Sequence, residues 1–124
     1  MTTDAPSAAT FPADCPSRRL LKHVAGHWGV FVLLALEPGS LRWSEIRRTI
    51  EGISEKMLAS TLRTFEQDGL VDRTVHGMTP PHVTYQLTTD GQELSARLHE
   101  VMDWIDGHVG RGDETARLQT RSLA

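Results

Sequence analysis

Residues 44–69 constrain the fold most, because they carry two helix signals separated by a three-residue turn. Ser44 can cap a first helix, with Glu45 complementing the dipole in its first turn and Ile46 and Ile50 one turn apart for burial. Glu51-Gly52-Ile53 then interrupts the pattern. Ser54 can cap a longer helix running to about Asp68, in which Leu58, Leu62 and Phe65 repeat at the i, i+4, i+7 spacing of a buried stripe. Gly69 supplies the stop. Two capped helices joined by a short glycine-containing turn have the outline of a helix-turn-helix.

The flanking segments extend that outline. Pro16 suits the first turn of a helix whose apolar stripe, Leu20, Leu21, Val24 and Ala25, ends near Gly26. Residues 28–36 are almost continuously apolar, which predicts a helix buried on most sides and closed by Pro38-Gly39. After Gly69, residues 71–75 and 83–87 are rich in β-formers and are linked by a loop containing Gly77 and Pro80-Pro81. A hairpin placed directly after the second helix of a helix-turn-helix is a wing. Thr88 or Thr89 can cap a last helix, in which Leu94, Leu98, Val101 and Ile105 follow the alternating four-and-three spacing of a packing seam, widened by Met102 and Trp104. The expected fold is mainly α with a small β-hairpin, a winged helix-turn-helix spanning 15–109. A Thr/Ala/Pro/Ser-rich arm at 1–14 and a tail at 110–124 are read as flexible. At 124 residues the chain has room for one such domain and none for a second, catalytic one.

Charge distribution matters more here than the net charge of -3. Residues 16–64 hold eight basic against four acidic side chains, a net of +4, whereas residues 65–124 hold five against ten, a net of -5. A polyanion would meet the first of these segments. The longest apolar stretch, 30–36, is far shorter than the roughly 18 residues needed to span a bilayer. No basic start followed by an apolar run marks a secretory signal, so the expected location is the cytoplasm. Cys15 is the only cysteine, which rules out an intrachain disulfide but not one between two copies.

With Leu58, Leu62 and Phe65 inward, the second helix of the pair projects Lys56, Ser60, Arg63 and Gln67 outward, flanked by Ala59 and Thr64. Arg and Lys can reach guanine acceptors or phosphates, Gln can pair with adenine, and Ala and Ser permit close approach. Ser44 and Arg47 on the preceding helix and Ser54 at the turn join the expected DNA face. His76, Thr79 and His82 in the hairpin loop could touch a neighbouring groove. A merely solvated helix face and an ordinary surface turn have the same compositions, so neither feature alone decides. His23 and His27 have the i, i+4 spacing of zinc ligands, but Gly26 interrupts their helix and no third ligand is in sequence reach. No phosphate loop, nucleophile elbow or paired-carboxylate motif occurs. No enzyme, metal or cofactor is expected.

Cys15-Pro16, Gly26-His27-Trp28, residues 42–48 (Arg-Trp-Ser-Glu-Ile-Arg-Arg), residues 52–58 (Gly-Ile-Ser-Glu-Lys-Met-Leu), Leu62, Asp68-Gly69-Leu70-Val71, residues 80–85 (Pro-Pro-His-Val-Thr-Tyr) and Leu87-Thr88 occur in an order and spacing that resemble the HxlR-type regulators of the winged-helix group. The family commonly has Lys where His27 stands and often Pro where Glu55 stands. The resemblance implies a DNA-binding transcriptional regulator that works as a homodimer on a pseudo-palindromic operator, with its first and last helices pairing. Leu20, Leu94, Leu98, Val101, Trp104 and Ile105 are then the interface residues. The apolar seam independently needs a cover, which either a partner or residues 28–36 of the same chain could supply. Cys15 matches a cysteine that in some family members senses oxidants or electrophiles, so an oxidant or a small molecule is a possible effector; an unreactive interfacial thiol is the alternative. Winged helices also serve as protein-interaction modules, and steep salt dependence would separate DNA binding from that use.

Overall fold

A computed structural model describes residues 12–123, with side chains through residue 113. Most of the expected arm therefore lies outside the described residues. The elements run α1 (Pro16–Val24), α2 (Gly29–Leu36), β1 (Leu41–Arg42), α3 (Trp43–Thr49), α4 (Glu55–Gln67), β2 (Val71–His76), β3 (His82–Leu87) and α5 (Thr89–Leu123). This is a winged helix-turn-helix: α3 and α4 form the pair, and β2 and β3 form the wing.

The centre is α2, whose Val32, Leu33 and Leu36 are sealed from solvent and which packs on α1, α3, α4, α5 and β3. Its nearly continuous apolar sequence follows from being covered on so many sides. Around it close Ile46 of α3, Leu58, Leu62 and Phe65 of α4, and Val71 and Leu87 of the wing strands. The inward stripe expected for α4 is therefore the one buried.

Strand β1 has only two residues and was not expected. Leu41 pairs with Tyr85 and Arg42 with Thr84, giving an antiparallel sheet of order β1-β3-β2. That pairing also corrects the start of α3. Ser44 lies inside the helix, and Arg42 is the cap, its backbone N–H donating to Glu45 Oε1 at 2.8 Å. The sheet holds Arg42 extended, so the helix begins as soon as the strand ends, and Glu45 supplies the acceptor expected of Ser44.

Thr88 joins the wing to α5. Its N–H and Oγ1 donate to the carbonyls of Leu70 and Gly69, while Oγ1 accepts the N–H of Gly91. Gly91 there presses onto the backbone: a Cβ would collide with the Leu70 carbonyl. Ser95, fully buried one turn on, donates to Leu33 O at 3.3 Å and locks α5 to α2. α5 runs as one helix through Gly110 to Leu123.

The apolar stripes of α1 and α5 divide. On α1 only Val24 is buried, whereas Leu20 and Leu21 are exposed. On α5, Leu94 and Leu98 pack against this chain's own core, while Val101, Trp104, Ile105 and Val109 stand open to solvent.

Two histidines clamp distant elements. His23 Nδ1 lies 2.8 Å from Asp68 Oδ2, joining α1 to the end of α4. His99 Nδ1 lies 2.7 Å from Glu37 Oε1, with Asp103 Oδ1 3.6 Å from its other nitrogen, joining α5 to α2. The hydrogen bond to Glu37, then the charges of Glu37 and Asp103, raise the pKa of His99. A raised folded-state pKa adds stability that is complete below the unfolded value and fades as pH rises through the folded one. Thermal melts at about pH 5.5 and about pH 8 should therefore show a smaller loss on alkalinisation for His99→Gln than for the parent, and an equal loss in both would refute the clamp.

Candidate nucleic-acid interface

The α3–α4 turn is built from local chemistry. Ser54 Oγ accepts the N–H of Met57 at 3.0 Å and fixes where α4 begins. Gly52 has φ +89°, a conformation that a side chain disfavours, and this sharp reversal brings α4 across α3. Burial of Leu58, Leu62 and Phe65 leaves Lys56, Ser60, Arg63 and Gln67 exposed along one face, with Ala59 and Thr64 half-buried at its edge. Every side chain expected on the outer face of α4 is thus accessible, at least at its edge.

Ser44, Arg47 and Ser54 are exposed beside that face and line a cleft of about 890 Å³ between α3 and the turn. Trp43 and Arg48 line it too and were missed, because their place depends on the true start of α3. Arg47 Nη1 lies 3.2 Å from Glu55 Oε1. Glu55 therefore partly neutralises a cation at the entrance to the helix. Both side chains are largely solvated, so the pair is weak and separable.

In the wing, His76 stacks on His82 with ring centroids 4.9 Å apart, and His76 Nε2 lies 2.7 Å from Thr84 Oγ1. Burial first, then the nearby charges of Arg42 and His76, lower the pKa of His82, which favours its neutral form. Thr79 is exposed in the loop. The two-residue strand β1 brings Arg42 to the wing, a neighbour that sequence spacing does not show.

The zinc spacing of His23 and His27 has another explanation. His23 holds Asp68, and His27 stands edge-on to Trp28 with centroids 4.4 Å apart. Among the described residues no cluster of three or more ligating side chains occurs. Nor is any helix among them long and apolar enough to cross a membrane.

Cys15 is the N-cap of α1 and is half-buried. The backbone N–H of Arg18, then that of Ser17, lower its thiol pKa. The open N-terminal end of α1 is thus what favours the thiolate.

The profile of the HxlR-like helix-turn-helix family matches residues 23–113. The HTH-type transcriptional regulator YtfH of Escherichia coli is 48% identical over 96 residues, which is 77% of this chain and 76% of that protein. The solved structure of the transcriptional regulator ytfH from Salmonella typhimurium is 44% identical, covers 81% of this chain and 89% of its own, and superposes with a TM-score of 0.74. Diamide-treated YodB from Bacillus subtilis is 35% identical over 77% of this chain and 96% of its own, with a TM-score of 0.65. The shared pattern, the capped α3–α4 pair and the β2–β3 wing agree: the chain belongs to the HxlR-like helix-turn-helix family of DNA-binding transcriptional regulators and is not an enzyme.

Proposed function

We propose that the protein is a cytoplasmic, sequence-specific regulator that binds a pseudo-palindromic operator as a homodimer, with α4 as its reading helix. The observation that carries this reading is the division of α4: one face anchored in the core, the other presenting Lys56, Ser60, Arg63 and Gln67 to solvent. Ser44, Arg47, Ser54, Ala59 and Thr64 border the groove-facing side, and His76, Thr79 and His82 reach from the wing. Arg63 and Lys56 have the reach to contact guanine or phosphate.

The exposed end of the α5 seam supports the dimer. Trp104 is 63% exposed and stacks on His108, while Val101 and Ile105 continue the same open surface and Leu20 and Leu21 add to it from α1. A second copy would cover these groups and set the reading helices about 34 Å apart, one turn of duplex. The interface then begins beyond Leu94 and Leu98, which serve the monomer core. Responsiveness to oxidants through Cys15 is supported by its lowered pKa and by likeness to HypR, a redox regulator with solved oxidised and reduced forms.

Fluorescence anisotropy on DNA upstream of the protein's own gene, against a scrambled duplex, tests the reading role. Arg63→Ala or Lys56→Ala should each weaken preferred-site binding by about 1 to 3 kcal/mol where the side chain reads a base, and equally on both duplexes where it touches phosphate. Unchanged affinity in both variants would remove α4 from that role.

A further inference from the structure

A cleft of about 440 Å³ lies between α2 and the end of α3, its lining ending at Glu51, next in the chain to Gly52 of the cleft between α3 and the turn. Its volume is that of a small-molecule site. Trp28 and Phe31 form its wall, with ring centroids 6.4 Å apart, and His27 stands edge-on to both. Leu34 and Ala35 complete the apolar side. The polar groups at the opposite rim accept rather than donate. Thr49 Oγ1 already gives its proton to Glu45 O, at 2.8 Å, and Glu51 makes no ion pair or hydrogen bond through its side chain with a described residue. Aromatic faces beside an uncompensated carboxylate attract a flat cation through both cation–π and charge attraction.

We propose that this cleft binds a planar aromatic cation, and that the ligand acts as an effector of DNA binding. The coupling route is short. A Cβ at Gly52 would sit 3.7 Å from Trp28 Cη2, so the indole lies against the turn that sets the angle of α4. A ligand stacked on Trp28 favours one position of that turn and thereby shifts DNA affinity. The effector role rests on the regulator reading above, whereas the binding site does not.

The full chain is titrated with N-methylquinolinium and, separately, with 1-naphthoate, which has a similar fused ring and the opposite charge. The indole N–H signals are followed by NMR, with Trp28 assigned through Trp28→Phe. The cation should shift the Trp28 signal saturably and bind about tenfold more tightly than the anion, and Glu51→Gln, an exposed substitution, should erase most of that difference. Saturating cation should change affinity for the upstream DNA at least about fivefold. No saturable shift at Trp28, as when a second copy fills the cleft, would overturn the site, and so would equal binding of the two probes. An unaltered DNA affinity at saturation would overturn the effector role. Failure to bind DNA with or without the probe would instead refute the regulator reading, and the indole shift would still decide the site.

Discussion

Phe65→Ala should lower the free energy of unfolding by about 3 to 5 kcal/mol, a large part of the total for a domain of this size. Phe65 is 0% exposed and lies where the inner face of α4 meets the start of α2; a Cβ at Gly29 would come within 3.2 Å of its ring. The surrounding groups belong to separate helices and a sheet that hold one another in place, so the cavity left by the ring cannot close fully. Urea titration at one fixed protein concentration measures the loss, since any self-association would make the midpoint concentration-dependent. Met57→Ala, on the same helix but 42% exposed, is the internal control and should cost under about 1 kcal/mol. Equal losses in the two variants would mean that α4 is not anchored through its Leu58, Leu62 and Phe65 face, and the outward orientation of Lys56 and Arg63 would lose its basis.

Affinity for the preferred duplex should fall about a thousandfold between roughly 50 and 200 mM monovalent salt. The magnitude follows from the cations on the proposed face. Arg47, Lys56 and Arg63 are exposed on each chain, so a dimer meets about six phosphates, and the logarithm of affinity should fall with the logarithm of salt at a slope near -5. The pairing of Arg47 with Glu55 pulls the slope toward the smaller side, because a cation already partnered releases less counterion from the DNA. The measurement is the anisotropy titration repeated at four salt concentrations. A slope shallower than about -2 would leave too few phosphate contacts for two reading helices and would favour a winged helix used for protein contacts. The charge division of the chain gives the same sign, since the basic surplus is confined to residues 16–64 while the rest is acidic.

Local chemistry made much of this protein legible from its sequence. Ser54 caps α4 because its hydroxyl needs only an N–H three residues away, and Leu58, Leu62 and Phe65 face inward because helical periodicity leaves them no other common side. The wing strands were visible for the same reason: alternation over five or six residues and a loop of Gly and Pro are short-range signals. The outward residues of α4 followed from the inward ones.

Other features exist only because residues far apart in the chain meet. β1 is two residues long and owes its existence to β3, some forty residues later; with it come the cap at Arg42, the displacement of Ser44 into α3, and the arrival of Arg42 beside the wing histidines. His23 is a partner for Asp68 rather than for His27, and His99 for Glu37, across separations that no spacing rule covers. The apolar seam of α5 reads as one stripe along the sequence, but the core of the monomer is only long enough to cover its first two turns, so Leu94 and Leu98 are taken inside while Trp104 and Ile105 are left for another surface. Sequence periodicity determines which side of a helix is apolar. Where that side finds cover depends on how far the neighbouring elements extend, and that is settled only when the chain is folded.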